Sequence, residues 1–291
     1  METKLVGICA ILIASLMWAV EPILAKFSYY NSDFVYTSAL RAVVAAVIAA
    51  VYILITKTGT FHIDKPTVPK MIYIALIGTV FADLMYLYAL TQVPVINAVV
   101  IGHLQPIFII LFAFLILKED TLITWDYIGI LLMIFSGIIV TTKTVDNLLS
   151  FSFGTIGDLF VVSATIAWAT TALVMRKYLR AMNAGTITFY RFSIAALVFF
   201  IYLLITSSLD TVSLYHIGLG GVVGVGTILY YEGLKRLKAA QVSGLELSTP
   251  FFAAILGFYL LHETLTLVQG GGILLLIIGI YCLSKREETH G

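Results

Sequence analysis

Long apolar runs separated by short polar linkers dominate this chain. Ten segments of about 20 mostly apolar residues follow one another, and this is the length that an α-helix needs to cross a bilayer. The longest linkers are only residues 57–69 and 143–154. The pattern predicts an all-α membrane protein with ten transmembrane helices, at residues 5–28, 34–56, 70–91, 95–117, 122–142, 155–178, 186–207, 212–234, 239–261 and 265–284.

Composition points to lipid rather than water as the solvent. Hydrophobic residues make up 60% of the chain and charged residues 11%, with a mean hydropathy of +1.04, whereas soluble domains carry about 25% charged residues. A net charge of +1 without a basic patch argues against nucleic acid as a partner. Cys9 and Cys282 define neither a disulfide framework nor a metal site, so we expect no metal and no cofactor. Glu21-Pro22 stands where a signal peptide would have small residues, so the first segment is interpreted as a retained helix.

Basic residues test the division into ten segments independently. With the N-terminus in the cytoplasm, 13 Lys and Arg residues fall at cytoplasmic helix ends and linkers, and only Lys26 and Lys143 fall outside. This asymmetry follows the positive-inside rule and predicts that both termini are cytoplasmic, in a multi-pass protein of the cell membrane. The remaining two basic residues, Arg41 and Arg191, lie inside apolar segments.

The two halves of the chain repeat one another. Trp18 and Arg41 recur 150 residues later as Trp168 and Arg191. The fourth segments of the two halves also match, and their shared positions are Pro106 and Glu119, then Pro250 and Glu263. Each half holds five segments, an odd number, so the second half enters the membrane inverted. We therefore predict two inverted five-helix repeats, at residues 1–145 and 152–286, with a substrate site between them near the midplane.

These repeated positions resemble the drug/metabolite transporter superfamily of the EamA type. The resemblance rests on Trp in the first helix of each half, Arg in the second, and a proline motif followed by Glu at the end of the fourth helix. That motif reads Leu104-Gln105-Pro106 in the first half, with one extra spacer residue in the second, 247–250. The resemblance implies a ten-helix bundle that moves small metabolites such as amino acids, often outward, through a central cavity. One departure is Glu21, a carboxylate three residues after Trp18 where many relatives have none.

Charged residues inside the apolar segments are the strongest functional candidates, because each costs about 2.5–3.5 kcal/mol at the centre of a membrane helix. Glu21, Arg41, Asp83 and His103 come from four consecutive segments at a similar depth, roughly 10–12 Å from the outer boundary by helical rise. We expect them to form an outer polar cluster. Either Glu21 or His103 is a candidate proton carrier. The alternative is purely structural pairing, of Glu21 with Arg41 and of Asp83 with His103.

The second half is expected to place its charged residues near the inner side of the membrane. Arg191, Glu232 and Glu246 fall there by segment depth. Together with the outer cluster they suggest two gates around a midplane cavity. Two further acids, Glu119 and Glu263, end their segments and are expected to cap the following helix. Asp158 in the sixth segment should favour a helix N-terminus.

Aromatic residues and prolines sharpen the predicted position of the site. Trp18 and Trp168 lie near the middle of their segments rather than at the interface where Trp collects. With tyrosines at 86, 190 and 230 they are candidates to line a cavity, with cation–π contact as one mode of binding. Prolines 22, 106 and 250 each leave a carbonyl without its helical donor, so we expect helix breaks near the site. Five glycines at 218–226 are interpreted as close helix packing.

These features predict a secondary transporter of small metabolites, expected to export by alternating access, with proton coupling as one possibility. A gradient-independent uniporter is the main alternative. A membrane-embedded enzyme is less well supported, since the chain lacks HExxH, GxSxG and an intramembrane aspartyl pair. The predicted partners are a small-molecule substrate and the lipid bilayer. The candidate substrate-binding or coupling residues are Trp18, Glu21, Arg41, Asp83, Tyr86, His103, Gln105, Trp168, Arg191, Tyr230 and Glu246.

Overall fold

A computed structural model gives the fold, and it describes residues 2–112, 114–115, 123–152, 154–179, 181–206, 210–237, 242, 245–246 and 248–284. Within these ranges the chain is helical and contains no strand. A short helix, Val145–Leu149, lies between the two halves. The long helices are α1 Glu2–Ser28, α2 Phe34–Thr56, α3 Val68–Ala89, α4 Val95–Phe112, α5 Thr124–Thr142, α6 Ile156–Leu179, α7 Ala184–Thr206, α8 Leu214–Arg236, α9 Ser248–Leu261 and α10 Leu267–Ser284.

The described helices confirm an all-helical membrane protein. Eight of them, α1 to α8, are long and apolar enough to span a bilayer, and α9 and α10 are shorter apolar helices within the described ranges. Many large hydrophobic side chains on their outer surfaces are exposed, for example Leu54, Ile205 and Leu274. Such a surface is stable in contact with lipid, so the protein is a multi-pass membrane protein.

Two of the helices are irregular near the middle of the bundle. In α3 the stretch Ile74–Asp83 winds as a π-helix, which widens the turn before the Asp83 side chain. In α4 the first half ends at Gly102, a turn follows at His103 and Leu104, and the second half starts at Gln105. Pro106 explains the interruption, because its ring leaves the carbonyl of residue 102 without a donor. The predicted break in the fourth segment is therefore confirmed.

The other two prolines behave differently. Helix α1 runs through Pro22 without interruption, so the break predicted there is wrong. Pro250 lies in the first turn of the described α9, a position where proline is tolerated. The carbonyl that Pro250 leaves free, that of Glu246, interacts with the His103 side chain.

Glycines bring α8 close to α2. A Cβ at Gly220 would lie 2.5 Å from the Val44 Cβ and 2.9 Å from the Arg41 carbonyl oxygen, and one at Gly224 would lie 3.0 Å from the Ala45 Cα. These positions have room only for hydrogen, which confirms the interpretation of the glycine run as a close packing surface. The same contact fixes the backbone of α2 beside the residue that carries the central guanidinium.

Loop contacts define two ends of the bundle. At what we call the Lys26 end, Ser32 contacts His216, and Lys26 contacts Glu263. At what we call the Lys57 end, the linker after α2 contacts the start of α7, where Thr186 donates a hydrogen bond of 2.9 Å to the Thr60 carbonyl oxygen. Each end therefore joins a segment of the first half of the chain to a segment of the second.

Candidate functional site

Arg41 is the centre of a buried ion-pair network. Its Nη2 lies 2.6 Å from Glu21 Oε1, and its Nη1 lies 2.9 Å from Asp83 Oδ2. These side chains come from α2, α1 and α3, and all three residues are at least nine-tenths buried. The predicted pairing of Glu21 with Arg41 is therefore present. A guanidinium can satisfy two carboxylates at once because its donors form a rigid planar fork.

Asp83 binds a second arginine, from the other half of the chain. Arg191 of α7 donates from Nη2 to Asp83 Oδ2 at 3.2 Å and to Oδ1 at 3.3 Å. The indole Nε1 of Trp168, on α6, donates to Oδ1 at 2.7 Å. The sequence analysis placed Arg191 at a separate inner gate, and this expectation is wrong. Its guanidinium reaches Asp83, so one network contains both arginines.

The π-helical stretch of α3 completes the contacts of Arg191. The carbonyl oxygen of Gly78 accepts hydrogen bonds from Arg191 Nη2 and Trp168 Nε1, each at 3.2 Å. The hydroxyl of Thr79 accepts one from Arg191 Nε at 2.7 Å. A wide π-helical turn frees backbone carbonyls for such side-chain donors. Sequence reasoning missed Gly78 and Thr79, and no spacing or composition signal marks this stretch as π-helical.

Phe192 lies close to both guanidinium groups. Its ring centroid is 5.8 Å from Arg41 Cζ and 5.2 Å from Arg191 Cζ, within the range of cation–π contact. The ring is fully buried, and the carboxylate of Asp83 bridges the two like charges. The Nε atom of Arg41 is buried and has no hydrogen-bond partner among the described residues. The network therefore retains one unused donor.

His103 does not pair with Asp83, contrary to the expected alternative. Its Nδ1 lies 2.7 Å from the carbonyl oxygen of Val99, one turn earlier in α4. The same imidazole interacts with the backbone of Glu246. His103 thus connects the interrupted helix of the first half to the chain just before α9. Gln105 follows as the first residue of the second half of α4, partly buried.

The candidate aromatic residues separate into two pairs. The Trp18 and Tyr230 rings lie 4.7 Å apart between centroids, and the Tyr86 and Trp168 rings lie 5.3 Å apart. The second pair adjoins the ion-pair network, because the Trp168 indole binds Asp83. Tyr190 belongs to neither pair. Its hydroxyl donates to the Phe61 carbonyl oxygen at the Lys57 end, so its predicted place in a shared central cavity is wrong.

Glu263 joins the two halves of the chain at the Lys26 end of the bundle. Its carboxylate accepts a hydrogen bond from the Val95 backbone N–H, at 2.8 Å, and lies 2.9 Å from Lys26 Nζ. It caps α4 of the opposite half rather than the next helix, which corrects the expectation for this residue. Its counterpart in the repeat, Glu119, lies outside the described residues. Asp158 behaves as predicted and forms a capping box with Thr155 at the start of α6.

A cavity of about 620 Å³ opens at the Lys57 end. It is mostly apolar and lies between the linker after α2, the start of α3 and the first part of α7. No residue of the ion-pair network lines it. The residues around it are Phe61, His62, Ile63, Val68, Met71, Ile72, Leu76, Tyr190 and Ile194.

The comparisons with known proteins agree on one family. The model of the EamA-like transporter family matches residues 5–142 and 155–285. An uncharacterized transporter of Synechocystis sp. is 30% identical over 230 residues, which is 74% of this chain and 65% of that relative. The matched region is thus slightly less than two thirds of that relative's length. The uncharacterized transporter YyaM of Bacillus subtilis is 26% identical, over 81% of each chain.

A solved structure supports the fold independently. One crystal structure superposes with a TM-score of 0.69 and covers 99% of both chains, at 18% sequence identity. At 18% sequence identity, this likeness supports the fold and not a function. The family match covers most of the chain, and the repeated positions of both halves, Trp18 and Arg41 with Trp168 and Arg191, fall inside it. The chain belongs to the EamA-like transporter family.

Proposed function

We propose that this membrane transporter is a secondary carrier that moves small metabolites, such as amino acids or related solutes, by alternating access. Its ten helices would form two inverted five-helix repeats, 1–145 and 152–286, with both termini in the cytoplasm and the cell membrane as its location. The family supports transport, and the absence of a nucleotide-binding motif in this sequence favours a carrier driven by solute or ion gradients.

The observation that carries the proposal is the shared carboxylate of Asp83. Arg41 and Arg191 occupy equivalent positions in the two halves, and both contact it. Because Asp83 is buried, losing either guanidinium would leave a poorly compensated charge in a low-dielectric environment. A movement of one half relative to the other must therefore exchange partners within this network. Such a network couples the state of the site to the arrangement of the two halves.

The contacts at the Lys26 end support the same mechanism. Glu263 joins α4 and Lys26 of the first half to the end of α9 in the second half. We infer that this end is closed in the present structure and opens when the Glu263 contacts break. Alternating access requires such a reversible closure, made of few and individually weak interactions. Export rather than uptake is a prediction that rests on the family resemblance, and coupling to protons is a prediction that rests on the titratable side chains of Glu21 and His103.

Flux measurements on the purified protein in liposomes test the proposal. A metabolite screen on cells that overproduce the protein would first select solutes whose uptake or efflux changes. Flux of a selected solute should then saturate with concentration and be lost in Asp83→Asn, while Asp146→Asn, at an exposed site in the short helix, should behave as wild type.

The same liposomes show which ion gradient drives transport and in which direction the solute moves. Flux that follows an imposed pH gradient supports proton coupling, and saturable flux that ignores it supports the uniporter. Turnover of a lipid or peptide without any solute flux would contradict the carrier and support an enzyme. Equal, non-saturating flux in the wild type and in Asp83→Asn would also contradict the carrier mechanism.

A further inference from the structure

The cavity at the Lys57 end is an apolar groove on the outside of the bundle. Its volume of about 620 Å³ falls within the range of about 300–1,000 Å³ that is usual for ligand pockets. Val68, Ile72 and Leu76 of α3 line it, and each is 38–41% exposed. Because exposed apolar side chains of a membrane-spanning helix face lipid, the groove opens towards the bilayer rather than towards the ion-pair network.

The groove follows the helix axes. On α3 its lining residues Val68, Ile72 and Leu76 recur at every fourth position, and on α7 Tyr190 and Ile194 are also four apart. Residues with this spacing share one face of a helix. From Val68 to Leu76 the groove extends roughly 12 Å along α3, and the hydrocarbon depth of one leaflet is roughly 15 Å. The groove therefore has the direction of a lipid acyl chain and most of the depth of one leaflet.

The linker after α2 forms a fixed edge of the groove. The Thr186 hydroxyl of α7 donates to the Thr60 carbonyl oxygen at 2.9 Å, and the Tyr190 hydroxyl donates to the Phe61 carbonyl oxygen at 2.5 Å. The Phe61 ring packs edge-on against that of Phe189, with the ring centroids 5.1 Å apart. These contacts hold the edge in place before a ligand arrives, which lowers the entropic cost of binding.

Basic side chains stand at the polar rim of the groove. His62 lines the groove, and Lys65 lies in the linker between two lining residues. Both are exposed, and among the described residues Lys65 forms no ion pair or hydrogen bond. The one acid of this linker, Asp64, accepts a hydrogen bond of 2.5 Å from the Thr67 hydroxyl. The rim therefore offers a lysine and an imidazole as partners for a phosphate.

Lys70 occupies the opposite face of α3. It follows Val68 by two residues, which is about 200° around the helix. Its Nζ lies 4.8 Å from the centroid of the Tyr178 ring on α6. Lys70 is therefore a basic residue of the same end of the bundle that does not belong to the groove, and it provides a matched control for Lys65.

We propose that this groove binds one acyl chain of an anionic phospholipid, with the phosphate at His62 and Lys65. The apolar lining and the opening to the bilayer favour a hydrocarbon chain, and the basic rim favours a negatively charged headgroup. The distribution of Lys and Arg predicts that the Lys57 end faces the cytoplasm, where anionic lipids make the membrane surface negative. A water-soluble substrate would gain little from a groove that opens to lipid.

Lipid binding to the purified full-length protein in detergent tests this proposal. Native mass spectrometry counts the lipids bound during titration with dimyristoylphosphatidylglycerol or dimyristoylphosphatidylcholine, which have the same acyl chains and differ in headgroup charge. The wild type should bind its first phosphatidylglycerol about fivefold more tightly than phosphatidylcholine, the effect of one lysine beside an anionic headgroup. Inorganic phosphate at the same concentration should not displace the lipid.

The variants separate the roles of charge and groove. Lys65→Gln should abolish most of the preference for phosphatidylglycerol, and the matched control Lys70→Gln should leave it unchanged within about twofold. Ile194→Trp fills the groove and should abolish binding of the first lipid of either kind. Leu54→Trp, which places the same ring on the exposed outer surface of α2, should bind both lipids as the wild type does. Should Ile194→Trp fail to fold, Leu76→Trp fills the groove from α3 instead.

Several results would overturn the inference. They are equal affinity for the two lipids, an equal loss of preference in Lys65→Gln and Lys70→Gln, or an unchanged first lipid in a folded variant with a filled groove. Displacement of the lipid by inorganic phosphate would also overturn it, because a free anion would then be the ligand of the rim. Solute flux plays no part in these readouts, so failure of the carrier function would leave the lipid site intact.

Discussion

Arg41 and Arg191, 150 residues apart at equivalent positions of the two halves, donate hydrogen bonds to the same carboxylate, that of Asp83. A buried acid that binds one arginine from each half links the halves at the centre of the bundle. The two arginines are not equally enclosed, since the Arg41 side chain is 5% exposed and that of Arg191 is 15% exposed. Arg191 is therefore the partner that can leave Asp83 at lower cost.

Asp83→Asn should destabilise the protein and abolish flux. The change leaves two guanidinium groups against one carboxylate, and breaking a buried pair in this way costs about 3–5 kcal/mol. Adding Arg191→Gln restores neutrality, so the double variant should regain about 0.5–3 kcal/mol of stability relative to Asp83→Asn alone. Thermal unfolding in detergent measures both effects. Strictly additive losses in the double variant would show that Arg191 and Asp83 are not coupled.

Glu21→Gln should reduce flux by about tenfold or more while the protein remains folded. In the wild type, Arg41 Nη2 donates to Glu21 Oε1 at 2.6 Å. The amide of the variant keeps an oxygen that can accept this hydrogen bond, but the network loses one negative charge. Flux in liposomes and elution by size-exclusion chromatography provide the two readouts. Wild-type flux in this variant would exclude Glu21 from the transport mechanism.

Much of the fold follows from hydropathy, because the bilayer requires long apolar helices whatever their tertiary contacts. Eight of the predicted segments agree closely with described helices that are long enough to span a bilayer, and the last two contain the shorter helices α9 and α10. Arg41 pairs with Glu21 as segment depth suggested. Segment depth could not show that Arg191 reaches Asp83, because depth locates only the backbone and an arginine side chain is several ångströms long. The π-helical stretch that holds Gly78 and Thr79 was also unpredictable, because it depends on packing rather than on propensity.

Gly220→Ala should destabilise the contact between α8 and α2. The added methyl group would meet Val44 and the Arg41 carbonyl, and overpacking of this kind costs about 1–3 kcal/mol. Gly221→Ala is the matched control, because its Cβ would meet only Ile48 at 4.0 Å. That variant should stay within about 0.5 kcal/mol of wild type. Thermal unfolding compares the two, and equal effects would contradict the packing described for α8.

Glu263→Ala should loosen the Lys26 end of the bundle. It removes the acceptor for the Val95 N–H and the partner of Lys26, and loss of a comparable helix cap costs about 0.5–2 kcal/mol. Hydrogen exchange in residues 95–102 should become faster. Lys26→Met, which removes only the ion pair and keeps the cap, should have a smaller effect. Faster exchange in Lys26→Met than in Glu263→Ala would contradict the capping role of Glu263.

The central claim, that two inverted halves meet on one buried carboxylate, is tested most directly by labelling single cysteines from the two sides of the membrane. Cys9 and Cys282 are first replaced by serine, and one cysteine is then introduced at Thr60 or at Ser150, in the linkers at opposite ends of the bundle. We expect an impermeant reagent applied to intact cells to label Ser150→Cys and to leave Thr60→Cys unlabelled until the membrane is opened. Labelling of both positions from the same side would contradict the inverted arrangement.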